Sequence, residues 1–558
     1  MKVFLLSRDS LLLVGILVLA LLLRVWGVQF GLPFLYHADE PIVINHALAF
    51  GMGDLNPHFF NIPPLVSYLL FFCYGIYCLA GCGAGLFHSV RDFEQLFYFD
   101  PSSFYLIARL VFGVFSGTLS VYLLFRLVKR ISAAQTALWA SFFLAVNFLH
   151  VRDSHYLYVD IPLLLVLLLG FLAIFRVSEK PSSWKWHFFS AGMIGLTMAT
   201  KYNGVFLAIP YLWICFRRVP WGQWLVFFPF AIVTAGAVFV LLNPYAVLDH
   251  TFFFKELAEQ SRANSGGLPW LHHLTYSLVG ALGWPMLGLA LLGAFRALLS
   301  KDVRSQAIAV FVMGYYAVLC RFGQPYDRYV LPLIPFMGVL AAEVLAALKA
   351  KSRLLFWILI PFVVMPSIIK TVHWDRLMSE PDVRTVAKEW VEAHIPAGSR
   401  VALDGAFFMP RLVFSPRQIK EKKTRALSGF QPEGRMRRLD ALLSKPYQPS
   451  YELYFLSASP EPSGFLFAEP LVPFDLEALK QKGIQYVFLV DALRPKGDVF
   501  FQGLQANADR IVTFSPYRDP EDLTIHDPQA MTGGPFLWKD ILPRKRGGYP
   551  VSIYHIRS

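Results

Sequence analysis

The chain has 558 residues, of which 56% are hydrophobic and only 16% are charged, and its formal net charge is +13. So few charges exclude an ordinary soluble protein of this length. The apolar residues fall in runs of about 17–25 residues as far as position 371, each long enough to cross a hydrocarbon core of about 30 Å. The sequence therefore predicts a polytopic α-helical membrane domain over residues 1–371, followed by a soluble α/β domain over residues 372–558.

The predicted membrane domain contains about 11 spans. They cover residues 11–28, 103–125, 133–149, 157–175, 187–200, 204–216, 223–242, 274–298, 305–320, 328–347 and 353–371. Lys and Arg concentrate in alternate loops, at residues 126–130, 176–185, 217–218, 296–304 and 349–353. Basic loops lie in the cytoplasm, so the amino terminus is predicted to be cytoplasmic and the carboxyl domain extracytoplasmic. Because the positive charge belongs to these loops, it does not indicate a nucleic-acid partner.

Residues 29–102 are predicted to form one outer loop. Its apolar stretch 64–80 is long enough to cross the membrane, but a crossing there would place the basic loop 126–130 outside. We therefore expect residues 64–80 to lie along the outer surface as an interfacial helix. The chain also lacks an Asn-x-Ser/Thr site, which favours a bacterial membrane over a secretory pathway.

The carboxyl domain has the pattern of an α/β fold. Val383–Val391 has helical spacing, and Arg400–Asp404 is typical of a strand. Leu476–Lys482 reads as a helix that ends at Gly483, and the strand Ile484–Val490 follows it.

An acidic pair opens the first outer loop. Asp39 is a candidate general base, and Glu40 is a candidate for orienting a ligand or fixing the loop. The alternative is a helix start, where acidic residues favour the positive end of the helix dipole. His37 is either a metal ligand or a hydrogen-bonded loop residue.

A second polar group lies where the third and fourth spans meet on the outer side. Arg152 can bind a phosphate through two hydrogen bonds, or it can form an internal ion pair with an aspartate. Asp160 requires a partner or a solvated cleft, because charge at this depth is costly. Asp153 and His155 could join His37 around a divalent cation, which the pattern neither requires nor excludes.

Further cations occur at the outer ends of later spans. Lys201 follows one span, Arg328 and Tyr329 open another, and Arg109 lies early in the second. Basic side chains at span ends often reach toward lipid headgroups. The outer side is, however, unfavourable for basic residues without a role. Cations and carboxylates on one face therefore indicate an anionic lipid and proton transfer in one cleft.

The ordered combination of these motifs resembles the polytopic, lipid-linked-sugar-dependent glycosyltransferases of the C-type (GT-C) fold. More narrowly, it resembles the bacterial relatives of the protein O-mannosyltransferases and of the lipid A aminoarabinose transferase, families 39 and 83. The motifs that carry the resemblance are Asp39-Glu40, Pro63-Pro64-Leu65, Arg109-Leu110, Arg152 through Leu163, Thr200-Lys201-Tyr202, Arg328 through Pro332 and Val383 through Val401.

The resemblance implies an inverting transferase that takes a sugar from a polyprenyl phosphate on the outer face of a bacterial inner membrane. It implies Asp39 as the base, with Glu40 and Asp160 supporting the acceptor or the sugar. It also implies that the donor phosphate is held by cations and a tyrosine, namely Lys201, Arg328, Arg152, Arg109 and Tyr329. The acceptor class (lipid, glycan or protein) and the sugar remain open.

Three other functions fit parts of the pattern. A secondary transporter or lipid flippase would place its ionisable residues near the midplane and within internal repeats, whereas here they gather at one surface. An oligosaccharide ligase with a pyrophosphate carrier and a non-catalytic surface receptor are further alternatives. Sugar transfer in detergent, without a membrane gradient, would separate an enzyme from a transporter.

Overall fold

The computed structural model describes residues 7–263, 270–321, 325–405, 408–427, 433–445, 448–458, 470–495, 497–527 and 536–557. The helices of the membrane domain are Arg8–Val25, Glu40–Ala49, Leu65–Gly83, Val90–Phe99, Ser102–Val128, Ala134–Ala145, Phe148–Asp153, Asp160–Glu179, Trp184–Thr200, Ala208–Arg218, Trp221–Leu242, Tyr245–Leu248, His250–Ala263, Trp270–Leu282, Trp284–Leu299, Val303–Leu319, Asp327–Lys351 and Arg353–Ser379. Ser102–Val128 contains the π-helical turn Arg109–Phe115, and Asp327–Lys351 begins with a 3-10 segment.

The chain is a multi-pass membrane protein. By length and composition, six helices among the described residues can cross a membrane, or seven if one bent pair counts as a span. Other predicted spans coincide with shorter apolar helices, among them Ala134–Ala145 and Val303–Leu319. The span predicted over 274–298 is not one straight helix. It breaks at Gly283, whose φ of 76° suits glycine, and the two halves meet at 111°.

Three of the five predicted basic loops meet at one end of the helical bundle. The helix Asp160–Glu179 runs from the polar cluster at its first residue to Glu179 at its last. Glu179 contacts three basic residues from different loops: Arg130 at 3.0 Å, Arg176 at 2.8 Å and Arg304 at 3.9 Å. The outer polar residues and the basic loops therefore occupy opposite ends, as the alternation predicts.

The helix Leu65–Gly83 is apolar on two sides. One side packs on the protein through Val66, Leu70 and Tyr74, whereas the other exposes Phe72 and Leu79. The chain that follows this helix contacts the carboxyl domain, because Tyr98 donates to the Gly434 carbonyl at 3.3 Å. Because the chain reaches the carboxyl domain soon after this helix, the contact favours the predicted position along the outer surface. By length and composition alone, the helix could also cross a membrane.

The carboxyl domain is an α/β domain around a six-stranded sheet. The strands are β1 Arg400–Leu403, β2 Glu452–Leu456, β3 Leu471–Val472, β4 Tyr486–Leu489, β5 Ala508–Phe514 and β6 Val551–Ile556. Their order is β3-β2-β1-β4-β6-β5, in which β1 to β4 pair in parallel and β6 pairs antiparallel with both β4 and β5. The domain's helices are Val383–His394, Pro416–Leu427, Glu433–Ser444, Leu476–Gln481, Val499–Asn507 and Trp538–Ile541. The predicted strands and the Gly483 cap are therefore present, with slightly shorter bounds.

The carboxyl domain packs directly on the membrane domain. The helix Arg353–Ser379 continues beyond the boundary predicted at residue 371 and leads into the domain without a flexible linker. Phe536 is fully buried between Phe148 and Tyr276 of the membrane domain, and Lys370 donates to its carbonyl at 2.6 Å. The two domains are thus joined by buried apolar and hydrogen-bonded contacts.

Candidate active site

The candidate site is built from the ends of four elements. Asp39 precedes the helix Glu40–Ala49, and Asp160 begins the helix Asp160–Glu179. Lys201 directly follows the helix that ends at Thr200, and Arg328 lies in the 3-10 segment that opens a later helix. Helix ends at one surface can direct polar side chains into a shared cleft while the apolar helix bodies remain in the membrane.

Asp39 and Arg328 form the first ion pair of the cleft. Arg328 Nη1 lies 3.1 Å from Asp39 Oδ2, and the side chains are 15% and 20% exposed. Asp39 occupies the position before the helix but makes no side-chain cap hydrogen bond. Its carboxylate is therefore directed to Arg328 and the cleft, rather than to the helix start that was the alternative explanation for the acidic pair.

Asp160 and Lys201 form the second ion pair. Lys201 Nζ donates to Asp160 Oδ1 at 2.6 Å, whereas Asp160 Oδ2 has no hydrogen-bond partner among the described residues. The Lys201 ammonium also lies 5.3 Å from the centre of the Tyr329 ring, within cation–π range. Asp160 thus has the partner that its depth requires, and it keeps one acceptor oxygen for a further donor.

Aromatic rings hold the two cations together. Tyr158 lies under both, with its ring centre 5.7 Å from Lys201 Nζ and 5.2 Å from the Arg328 guanidinium. Tyr326 contacts Arg328 from a second side at 4.7 Å. Sequence analysis did not identify Tyr158 or Tyr326. The signal that could have found them is their position two residues from Asp160 and Arg328, respectively.

A small cleft joins these residues. It is lined by His37, Asp39, Arg152, Asp153, Tyr156, Tyr158, Asp160, Ile161 and Arg328. Lys201 is not part of this lining but joins it through its ion pair with Asp160, so Asp39, Asp160, Lys201 and Arg328 come together from distant parts of the chain. Two cations can bind an oxyanion in such a cleft, and a carboxylate beside them can accept a proton.

Glu40 and Arg109 are absent from the lining of the cleft, and their predicted roles stay predictions. Both side chains are fully buried, and the guanidinium binds the carboxylate through two hydrogen bonds of 2.8 and 2.7 Å. Arg109 also donates to the carbonyls of Val28 and Phe30, and Glu40 accepts from the Leu157 N–H. Their hydrogen-bonding groups are thus occupied by the protein, and the pair fixes the outer loop to the second membrane helix.

Arg152 lines the cleft, but its guanidinium is bound to carboxylates of the protein, and its predicted binding of the donor phosphate stays a prediction. It is 1% exposed and binds Asp327 through two hydrogen bonds of 2.7 and 3.1 Å. A third hydrogen bond, at 2.8 Å, joins it to Asp153, and burial raises the pKa of that carboxyl to about 6. The alternative interpretation, an internal arginine–aspartate pair, is the one observed.

His37, Asp153 and His155 do not assemble a metal site. His37 Nδ1 accepts the Asp39 N–H at 3.3 Å, and its ring stacks on Tyr156 with centres 4.1 Å apart. The His155 ring nitrogens face the carbonyls of Val151 and Trp26, while Asp153 binds Arg152. In the part of the chain that the structure describes, no three His, Cys, Asp or Glu side chains are grouped to hold a metal ion. These three side chains are thus engaged by other groups of the protein, and a metal site there stays a prediction.

Sequence comparison supplies one family match. Residues 95–247 match the profile of the family described as dolichyl-phosphate-mannose-protein mannosyltransferase. This segment includes Asp160 and Lys201 of the cleft. No curated protein sequence matches the chain at a significant level.

The fold is similar to solved membrane glycosyltransferases. ArnT from Cupriavidus metallidurans bound to undecaprenyl phosphate is 14% identical, with a TM-score of 0.50 over 90% of this chain and 95% of that one. The apo form of the same protein is 14% identical, with a TM-score of 0.49 over 91% of this chain and 97% of that one. The Archaeoglobus fulgidus oligosaccharyltransferase in its apo form is 12% identical, with a TM-score of 0.48 over 92% of this chain and 74% of that one. At these identities the similarity concerns the fold, and with the family match it shows that the chain has the GT-C fold.

Proposed function

We propose that this chain, a multi-pass protein of the GT-C fold, is an inverting glycosyltransferase that moves a sugar from a polyprenyl phosphate to an acceptor. The observation that carries the proposal is the joining of Asp39–Arg328 and Asp160–Lys201 in one cleft at one end of the helical bundle. This end is opposite the basic loops, and the positive-inside rule therefore supports a reaction outside the cytoplasm. The proposed location is a bacterial inner membrane, with the amino terminus in the cytoplasm.

Lys201 and Arg328 bind the donor phosphate in this mechanism. Both are cations beside a membrane surface, where the phosphate of a polyprenyl carrier lies. The structural relative solved with undecaprenyl phosphate supports a carrier of this chemical class. Tyr329, whose ring contacts Lys201, borders the same position. In the transition state, the two cations stabilise the negative charge that develops on the departing phosphate.

Asp39 accepts the proton of the acceptor hydroxyl. The acceptor oxygen then forms a bond to the anomeric carbon, and the bond from that carbon to the phosphate oxygen breaks on the opposite face. One displacement of this kind inverts the configuration and leaves the electron pair on the polyprenyl phosphate. Asp160 holds Lys201 in place, and its second oxygen can accept a hydrogen bond from a sugar hydroxyl.

The proposal is tested by sugar transfer in detergent, where no gradient exists. The purified protein receives an undecaprenyl-phosphate-linked radiolabelled sugar and a bacterial envelope fraction as the acceptor. We expect label in the acceptor and release of undecaprenyl phosphate, and mass spectrometry of the purified protein should show a bound polyprenyl phosphate. A donor that stays intact in detergent but crosses the bilayer of protein-containing vesicles would instead establish a transporter.

A further inference from the structure

One aromatic ring of the carboxyl domain reaches the polar residues of the cleft. Phe536 is fully buried, and its ring centre lies 5.4 Å from the guanidinium carbon of Arg152, within cation–π range. Arg152 lines the cleft, and so does Arg328. All of the lining residues belong to the membrane domain. The carboxyl domain therefore contacts a cleft residue without lining the cleft itself.

The membrane domain fixes Phe536 through both its backbone and its ring. Lys370 Nζ donates to the carbonyls of Phe536 and Gly280, each at 2.6 Å, and lies 4.9 Å from the Phe536 ring centre. The ring also packs against Phe148 and Tyr276, with ring centres 5.9 and 5.3 Å away. A ring held on several sides is a fixed support for the guanidinium that rests on it.

Arg152 occupies a carboxylate that directly precedes Arg328. Its guanidinium binds Asp327 through two hydrogen bonds of 2.7 and 3.1 Å. Asp327 and Arg328 are consecutive residues of the 3-10 segment Asp327–Leu333. An unpaired buried carboxylate is costly and takes the nearest cation as its partner. While Arg152 binds Asp327, this carboxylate has no need of Arg328.

The two arginines of the cleft differ in how fully their donors are used. Arg152 donates three hydrogen bonds to carboxylates of the protein. Arg328 Nη1 lies 3.1 Å from Asp39 Oδ2, whereas its Nε has no hydrogen-bond partner among the described residues. A guanidinium has five N–H donors, so Arg328 retains donors for a second anion. Phe536 contacts the arginine whose donors are occupied.

We propose that Phe536 is a positioning residue for donor binding. Its ring holds Arg152 on Asp327, and Arg328 is thereby left to bind the donor phosphate. The carboxyl domain thus contributes to donor affinity without touching the donor. The identity of the ligand rests on the proposed function, whereas the link from Phe536 to the segment that carries Arg328 does not.

The first test is the binding of undecaprenyl phosphate to the full chain in phosphatidylcholine nanodiscs, followed by native mass spectrometry. Phe536→Leu keeps an apolar side chain but removes the ring, so affinity should fall about three- to tenfold. The matched control is Phe488→Leu, the same change at a fully buried phenylalanine of β4, which should lose stability but bind as the wild type does. Equal affinity of Phe536→Leu and wild type, or an equal loss in Phe488→Leu, would overturn the proposal.

A second variant keeps the shape of the ring in case Phe536→Leu does not fold. Replacement of Phe536 by trifluorophenylalanine withdraws electron density from the ring face and weakens its attraction for a cation. We expect donor affinity to fall several-fold in a protein that still folds. The same replacement at Phe488 should leave the affinity unchanged. Wild-type affinity in the fluorinated Phe536 protein would overturn the action of this ring on Arg152.

The route through Asp327 is tested by a double-mutant cycle. Asp327→Asn removes the charge that Arg152 holds away from Arg328. In this background, the further change Phe536→Leu should cause no additional loss of affinity for undecaprenyl phosphate. Additive losses in the double variant would show that Phe536 acts independently of Asp327 and would overturn the proposed route.

Hydrogen exchange without donor separates this inference from the proposed function. The segment Asp327–Leu333 should exchange faster in Phe536→Leu than in wild type and should be unchanged in Phe488→Leu. If the wild type neither binds undecaprenyl phosphate nor transfers sugar, the proposed function fails, and faster exchange would still establish that Phe536 positions this segment. If the wild type transfers sugar and the segment exchanges equally in Phe536→Leu, the inference fails and the proposed function stands.

Discussion

The guanidinium of Arg328 lies 3.1 Å from the carboxylate of Asp39, although most of the membrane domain separates the two residues in sequence. A phosphate that enters the cleft would compete with Asp39 for Arg328, so donor binding and the position of the proposed base are coupled at this contact. The pair therefore links the two halves of the proposed reaction.

Asp39→Asn should abolish sugar transfer while leaving the protein folded. The amide keeps the shape of the side chain but cannot accept the acceptor's proton, and loss of a general base typically costs about 10²–10⁴-fold in rate. The measurement is turnover of the labelled donor in detergent. Asp54→Asn is the control, because Asp54 belongs to the same loop, is 61% exposed and contacts only local groups. Turnover at the wild-type level in Asp39→Asn would remove Asp39 from the role of base.

Lys201→Gln should weaken donor binding by about tenfold or more, because it removes one cation from the phosphate. It also leaves the buried Asp160 without its counterion, so stability falls as well. The double variant Lys201→Gln/Asp160→Asn restores a neutral hydrogen bond and should recover the unfolding temperature but not the KM for the donor. Recovery of both would mean that Lys201 acts only through Asp160.

Arg109→Met should destabilise the protein by about 3–5 kcal/mol, because it leaves the fully buried Glu40 charge unpaired. Thermal unfolding in detergent measures the effect. Asp509→Asn, which breaks the exposed pair with Arg557, should leave the unfolding temperature unchanged. If Arg109→Met instead raises the donor KM and leaves the stability unaltered, the result would support the predicted binding of the donor phosphate by Arg109.

His37 should make the fold less stable in acid. Burial lowers the pKa of this imidazole below its ordinary value. The folded state therefore binds fewer protons than the unfolded state, and stability is lost as the pH falls below about 6.5. Unfolding temperatures of His37→Gln should fall less between about pH 7 and about pH 5 than those of wild type. The exposed His88→Gln should follow the wild type, and identical curves for all three proteins would contradict the prediction.

Gly280→Ala should disrupt the docking of the carboxyl domain. A Cβ at this position would lie 2.0 Å from the ring of Phe536, which is fully buried between the carboxyl domain and the membrane domain. Phe536→Leu in addition should recover part of the loss, because the smaller side chain vacates that space. Gly288→Ala is the control, since a Cβ there meets nothing within 4 Å. Hydrogen exchange around residue 536 is the measurement, and unchanged protection in Gly280→Ala would contradict the contact.

Much of the site was predictable because charged residues at the ends of membrane spans differ clearly from the apolar runs beside them. Asp39, Asp160, Lys201 and Arg328 interrupt or border apolar runs, and the alternation of basic loops assigns them all to one side. The same pattern, a charge that borders an apolar run, is found at Glu40, Arg109 and Arg152. Their charged groups, however, are already hydrogen-bonded to partners within the protein. The sequence cannot distinguish a charge that awaits a ligand from one that already has its counterion.

The sequence by itself determined that the chain crosses a membrane repeatedly, that an α/β domain follows, and that the polar residues gather at one end. These properties follow from hydrophobic run length and from the cost of placing charge in lipid, and both are local in sequence. Only the tertiary structure decided which acid meets which base, that Tyr158 joins Lys201 to Arg328, and that Glu40 occupies the guanidinium of Arg109. Those contacts depend on how distant helix ends are placed by packing, and a linear pattern does not carry that information.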